Sequence, residues 1–177
     1  MTERRLHVFD KDGNEWITQL SASVTSAIGS LDAAAAPGSC YLVDINDKGP
    51  SEASASMALV PGGPGLGAVL EQGALLDAVR RLDAGSRWTV SICNGAQILG
   101  AAGLLAGRRV TTNFFARSQA RGFGAEVLHE RHVRDGRLLT GAGVSSSIDT
   151  ALFLAGELGG ETMARAIQLR SEERRVG

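Results

Sequence analysis

The sequence predicts an α/β fold in which a mostly parallel sheet is covered by helices on both faces. Short apolar, β-rich runs alternate along the chain with longer segments whose apolar residues recur at helical spacing. Glycine is abundant, with 23 residues, and much of it clusters between these segments, as tight turns require. Because ligands of such sheets bind outside the carboxyl ends of the strands, we expect the functional site there.

Seven short apolar runs are predicted to be strands. They span residues 6–9, 40–45, 57–60, 88–93, 109–112, 127–133 and 137–140. The last two runs flank Asp135-Gly136, a pair that favours a tight hairpin. Cys40 lies in the second run between apolar neighbours, and we interpret it as a small buried hydrophobe.

Six segments are predicted to be helices because their apolar residues recur at helical spacing or because small residues fill them. They span residues 15–28, 75–83, 94–102, 114–121, 147–158 and 162–170. The first rests on four apolar residues, Ile17, Leu20, Val24 and Ile28. Glycine follows three of the others, at positions 85, 122 and 159, where it commonly ends a helix.

Length and composition limit the possible functions. The 177 residues suit a single domain over 1–177, with a charged tail at 170–177. A net charge of −1 gives no electrostatic reason to expect nucleic acid or an anionic membrane as a partner. No apolar run approaches the roughly 18 residues of a membrane span, and no apolar signal core follows the N-terminus. We therefore expect a cytoplasmic protein.

Cys93 is the strongest candidate for a reactive centre. It stands where a predicted strand meets a predicted helix, and the small residues Ser91 and Gly95 lie two positions to either side. This is the pattern of a nucleophile elbow, in which a strained turn exposes the nucleophile and small neighbours avoid collisions. The helix N-terminus beneath it favours the nucleophilic thiolate. The alternative is a buried strand-end cysteine without a chemical role.

The predicted turn at residues 61–63 supplies backbone groups beside the elbow. We expect the N–H groups of Gly63 and Asn94 to form an oxyanion hole, with Gly62 in the same site. The spacing of these glycines differs from that of a nucleotide-binding loop, and Pro64 removes a donor. A nucleotide cofactor is therefore not expected.

No metal is expected either. The two cysteines form no Cys-x-x-Cys pair. His129 and His132 are three residues apart on a predicted strand, so they face opposite sides. No third ligand has suitable spacing.

Several sequence blocks, taken together and in order, resemble the ThiJ/PfpI superfamily of class I glutamine amidotransferase-like proteins. They are residues 60–63, 91–96, 99–109, 111–113, 129–136, 139–143 and 143–154. Within the superfamily the sequence is most similar to isonitrile hydratases and to the amidotransferase-like domains of AraC-type regulators. The resemblance implies a flavodoxin-like fold, a homodimer, and attack by the elbow cysteine on a small electrophilic carbon without a cofactor.

The resemblance also implies a carboxylate that hydrogen-bonds the thiol and transfers the proton. In the family this group comes from the first strand–helix turn. Glu15 is the best match here, and Asp10 and Asp12 remain open. The alternative for Glu15 is an acidic residue that only complements the helix dipole.

Two positions depart from the family pattern. Asn94 stands where hydratase-like members usually carry threonine, and Asn113 stands where many members carry histidine. We expect Asn94, Asn113 and Gly143 to contact the substrate, and we expect Cys93 to rely on a carboxylate instead of a histidine. Phe114 and Phe115 either line the pocket or pack in the core.

Three functions are consistent with these observations. The first is a cofactor-free enzyme similar to isonitrile hydratase, which adds water to an isocyanide and releases an N-substituted formamide. The second is a specialised biosynthetic cyclase or lyase, or a deglycase-like enzyme, of the same superfamily. The third is a non-catalytic ligand or redox sensor.

Overall fold

The computed structural model describes the backbone of residues 5–9, 15–19 and 42–46, and it describes residues 57–170 apart from 65 and 69. The predictions for Cys40, Asp10, Asp12 and the tail after residue 170 lie outside these described residues.

Eight of the nine described strands overlap the predicted apolar runs, and the strand at Glu15–Gln19 lies in a segment predicted to be helical. The run predicted at 127–133 is wrong as one strand: it is divided between Glu126–Val127 and His132–Asp135, and His129 lies in neither. In chain order the strands are β1 (Arg5–Phe9), β2 (Glu15–Gln19), β3 (Leu42–Asn46), β4 (Met57–Val60), β5 (Trp88–Ser91), β6 (Arg109–Val110), β7 (Glu126–Val127), β8 (His132–Asp135) and β9 (Leu138–Gly141). The hairpin predicted at Asp135-Gly136 joins β8 to β9, and Gly136 adopts a φ of 63° there.

Seven of these strands form one mixed sheet in the order β2-β1-β3-β4-β5-β9-β8, and β6 pairs with β7 apart from it. The central strands β4, β5 and β9 are parallel. The pairs outside them are antiparallel. Because β5 lies in the middle of the parallel part, its carboxyl end is where such a sheet places a ligand.

The helices agree with five of the six predicted segments to within a few residues. They are α1 (Gly73–Gly85), α2 (Ala96–Ala101), α3 (Arg117–Gly122), α4 (Ser146–Gly159) and α5 (Glu161–Arg170). Single 3-10 turns at Cys93–Gly95 and Phe114–Ala116 lead into α2 and α3. Among the described helices, none combines the length and the apolar character that crossing a membrane requires.

The helix predicted over residues 15–28 is wrong in its first part. Residues 15–19 form β2, which pairs antiparallel with β1. The aromatic and β-branched residues at 16–18 favour a strand, and Asp12-Gly13 before them is a hairpin-favouring pair. Residues 20–28 lie outside the described residues.

Apolar clusters cover both faces of the sheet. On one face, Val60 and Leu138 pack with residues of α1 and α2. On the other face, Val90 and Leu139 pack with Leu154 of α4. Neighbouring residues of a strand point to opposite faces, so Leu138 and Leu139 belong to different clusters. The predicted α/β architecture, with helices on both faces, is confirmed.

Candidate active site

Cys93 occupies the turn between β5 and the helical segment that follows it. Its φ is 59°, and among the described residues it is the one non-glycine residue with a positive φ. A left-handed backbone costs a residue with a side chain roughly 1–2 kcal/mol, so neighbouring contacts must hold it. The side chain is half-buried. This is the strained backbone that a nucleophile elbow requires.

Two glycines allow the loop after β4 to pack against this turn. A Cβ atom on Gly95 would collide with the carbonyl oxygen of Val60, and one on Gly62 would collide with Oδ1 of Asn94. The Gly62 position also lies close to the elbow itself, since an added Cβ would be 3.0 Å from Cβ of Cys93. Only glycine at these two positions permits the contact between loop and elbow.

Asn94 clamps the elbow to Gly63 through both ends of its side-chain amide. The N–H of Gly63 donates to Oδ1 of Asn94 at 2.8 Å, and Nδ2 of Asn94 donates to the carbonyl oxygen of Gly63 at 2.9 Å. The Gly63 donor that we expected in an oxyanion hole is therefore occupied by Asn94. The Asn94 amide, which we expected to hold the substrate, holds the loop in this structure.

The carbonyl group of Cys93 is held from a different part of the chain. Oγ1 of Thr112 donates to it at 2.7 Å, and the N–H of Asn113 donates to it at 3.1 Å. Thr112 is fully buried. Sequence reasoning did not single out Thr112, although it lies beside Asn113 in one of the family-like blocks.

A cavity of about 310 Å³, here called the elbow cavity, lies beside this segment. Its lining residues are Thr112, Asn113, Phe114, Arg117, His129, Glu130, Arg131, Ala142, Gly143 and Ser146. Two residues of the predicted site, Asn113 and Gly143, therefore share one cavity. Phe114 lines it with 71% of its surface exposed, and Phe115 is 88% exposed, so core packing is wrong for both.

The structure does not bring Glu15 to the elbow. Glu15 pairs with Phe9 at one end of β2 and β1, and not at the start of a helix. In the sheet order, β2 lies four strand positions from β5. At a spacing of about 4.8 Å per strand, the lateral separation is about 19 Å. The strand pairing therefore does not support a contact between the Glu15 carboxylate and Cys93, and that contact stays a prediction.

Two other polar side chains of the described residues have structural partners. The ring of His132 lies 4.7 Å from the ring of Phe153, centroid to centroid. Asp149 in the first turn of α4 forms an ion pair with Arg131. Within the part of the chain that the structure describes, no group of three or more His, Cys, Asp or Glu residues is placed to hold a metal ion.

The elbow lies within a part of the chain that matches a known protein family. The model of the DJ-1/PfpI family matches residues 22–156, which is more than half of the chain. The chain belongs to the DJ-1/PfpI family. An isonitrile hydratase from Pseudomonas putida is 44% identical over 113 residues, covering 64% of this chain and 50% of that protein. The chain thus spans about half the length of the curated relative that it matches.

Solved structures of the DJ-1/PfpI family share the fold. A ThiJ/PfpI family protein from Pseudomonas syringae has a TM-score of 0.68 and 34% identity, covering 72% of this chain and 53% of its own. A DJ-1 superfamily protein from Salmonella typhimurium, solved with one cysteine changed to alanine, has a TM-score of 0.61 and 28% identity, with coverage of 70% and 67%. The flavodoxin-like α/β fold implied by the resemblance is confirmed.

Proposed function

We propose that this chain is a cofactor-free enzyme that hydrates isonitriles with Cys93 as its nucleophile. The strained backbone of Cys93 at the strand–helix turn carries the proposal. Backbone strain persists only where the surrounding structure enforces it, and it concentrates at functional sites. The 44% identity to an isonitrile hydratase supports this class of substrate.

The reaction balances with water as the only co-reactant. The thiolate of Cys93 adds to the terminal isonitrile carbon, a C–S bond forms, and that carbon takes up a proton to give a thioimidate. Water then adds across the C=N bond, so that the carbon gains a hydroxyl group and the nitrogen gains a proton. The C–S bond breaks, the hydroxyl proton returns to the deprotonated general acid, and the thiolate and an N-substituted formamide are released. A general acid supplies the first proton. Asp10 and Asp12 are the candidates that the sequence leaves for this role, because the sheet register separates Glu15 from the elbow.

The clamp at Asn94 favours an isonitrile over a carbonyl substrate. Thiolate attack on a carbonyl develops charge on oxygen, which an oxyanion hole must stabilise. The Gly63 N–H that would serve this purpose already donates to Asn94. An isonitrile has no oxygen at the stage of thiolate attack, so its first step does not need that donor.

Substitution of Cys93 tests the proposal. We expect C93A and C93S to lose roughly 10³-fold or more in kcat/KM for isonitriles, because the nucleophile is removed. Formamide production is followed by proton NMR on a panel of isonitriles, 2-oxoaldehydes and amides. Normal turnover by a folded C93A protein would refute the proposal, and turnover of 2-oxoaldehydes alone would favour a deglycase-like enzyme.

We also propose a homodimer, which the family resemblance implies, and a location in the cytoplasm. Sedimentation velocity at several protein concentrations tests the dimer, and a single monomeric species throughout would contradict it.

A further inference from the structure

We propose that the elbow cavity binds a carboxylate group of the substrate through the guanidinium group of Arg117. This inference deepens the proposed function and rests on it for the reaction, whereas the binding itself needs no turnover. With a volume of about 310 Å³, the cavity is at the small end of ligand pockets. A small molecule fits such a space.

Arg117 is an arginine of the elbow cavity that no carboxylate of the described residues neutralises. Arg131, the other arginine in the lining, forms an ion pair with Asp149. No described carboxylate pairs with Arg117, and its Nε is buried without a hydrogen-bond partner among the described residues. Its guanidinium carbon lies 5.8 Å from the ring centroid of Phe114. Because Nε is closed to solvent, a ligand in the cavity would bind the two terminal nitrogens of Arg117.

The other lining groups suit a carboxylate attached to a small apolar body. A planar guanidinium group binds carboxylate in a bidentate manner. Oδ1 of Asn113 accepts from the N–H of Phe115 at 3.0 Å, so its NH₂ end is left to donate. Phe114 supplies an apolar wall. Glu130 also lines the cavity, but its exposed side chain is solvated, so its repulsion of an anion is screened.

The cavity wall is bonded directly to the elbow. Thr112 and Asn113 line the cavity, and both donate to the carbonyl oxygen of Cys93. Cys93 itself is not among the lining residues, so we infer that a molecule anchored at Arg117 extends out of the cavity to the thiol. The substrate class that follows is a small isonitrile carrying a carboxylate.

Binding is measured on the C93A protein, which cannot turn over. The probes are N-formylglycine, the product of hydrating isocyanoacetate, and its uncharged methyl ester. By titration calorimetry we expect the acid to bind at least about tenfold more tightly than the ester, because only the acid pairs with Arg117. The added substitution R117Q should abolish that preference. R121Q, on the same helix but outside the lining, should keep it.

Turnover then separates this inference from the proposed function. The R117Q variant, with Cys93 retained, is compared with the wild-type protein. Its KM for isocyanoacetate should be about tenfold higher, and its kcat/KM for methyl isocyanoacetate should stay within about twofold of the wild-type value. Equal affinity of C93A for acid and ester, or a preference that survives R117Q, overturns the Arg117 site even if isonitriles are hydrated. Preferential binding through Arg117 without any isonitrile turnover supports the site and refutes the hydratase.

Discussion

Because the backbone of Cys93 is left-handed, substitutions at this residue can change activity and stability independently. Glycine adopts a φ of 59° without strain, whereas alanine keeps the strain that cysteine has. We expect C93G and C93A both to be inactive. The free energy of unfolding of C93G should be about 0.5–1 kcal/mol larger than that of C93A, so C93G should be the more stable variant. Urea unfolding followed by circular dichroism measures the difference. Equal or lower stability of C93G would show that the turn is not strained.

Two adjacent glycines offer a matched pair of substitutions. A Cβ on Gly62 meets Oδ1 of Asn94, while one on Gly63 has no neighbour within 4 Å. We expect G62A to break the Asn94 clamp, lowering stability by about 1–3 kcal/mol. Because the clamp positions the elbow, kcat/KM should fall as well. G63A should retain both activity and melting temperature. Similar behaviour of the two variants would contradict the close approach at Gly62.

The residues of this site differ in how far sequence reasoning could predict them. Cys93 and its small neighbours were predictable, because a strand ending in a nucleophile between small residues has a local pattern. The clamp was not, because Asn94 and Gly63 are 31 positions apart and only the tertiary structure brings them together. The same holds for Thr112, whose contact with Cys93 spans 19 positions.

At the scale of elements, Arg137 ties the end of α1 to the β8–β9 turn. Its Nη1 donates to the carbonyl oxygen of Asp83 at 2.5 Å, and its Nη2 donates to Oδ2 of Asp83 at 2.5 Å. Oγ1 of Thr89, near the start of β5, donates to Oδ1 of Asp83 at 2.7 Å. These contacts lie at the opposite end of β5 from Cys93.

We therefore expect R137A to affect stability and not catalysis. Loss of charged hydrogen bonds to Asp83 should lower the free energy of unfolding by about 1.5–3 kcal/mol, with kcat/KM unchanged. The control R165A removes an exposed pair within α5 and should cost less than about 0.5 kcal/mol. Thermal unfolding and steady-state kinetics measure both. A stable R137A protein with impaired turnover would show that this network reaches the active site.

Helices after residue 70 could be predicted because both apolar spacing and terminal glycines indicated them. The segment at 15–28 misled the prediction because Ile17, Leu20, Val24 and Ile28 also fit helical spacing. In its first part the pairing of β2 with β1 decides the structure instead. Local periodicity cannot reveal a partner strand, although the Asp12-Gly13 pair was a signal for the hairpin.

At the scale of the whole molecule, the centre of the sheet was more predictable than its edges. Helix α1 lies between the parallel strands β4 and β5, as a parallel crossover requires. For β1 to β3, the apolar runs indicated strands at β1 and β3, but their antiparallel pairing was not predicted. The elbow cavity was also beyond sequence reasoning, because its lining comes from residues 112–117, 129–131 and 142–146, which are separated along the chain.

The sheet register makes a prediction about Glu15. Glu15 pairs with Phe9, Phe9 pairs with Leu42, and β2 lies four strand positions from β5. A lateral separation of about 19 Å is too large for direct proton transfer to a group at Cys93, so we expect E15Q to keep kcat/KM within about twofold. C93A, assayed in parallel, defines complete loss. A fall of about 100-fold with unchanged circular dichroism would mean that the β1–β2 hairpin reaches the elbow in solution, and Glu15 would then be the general acid.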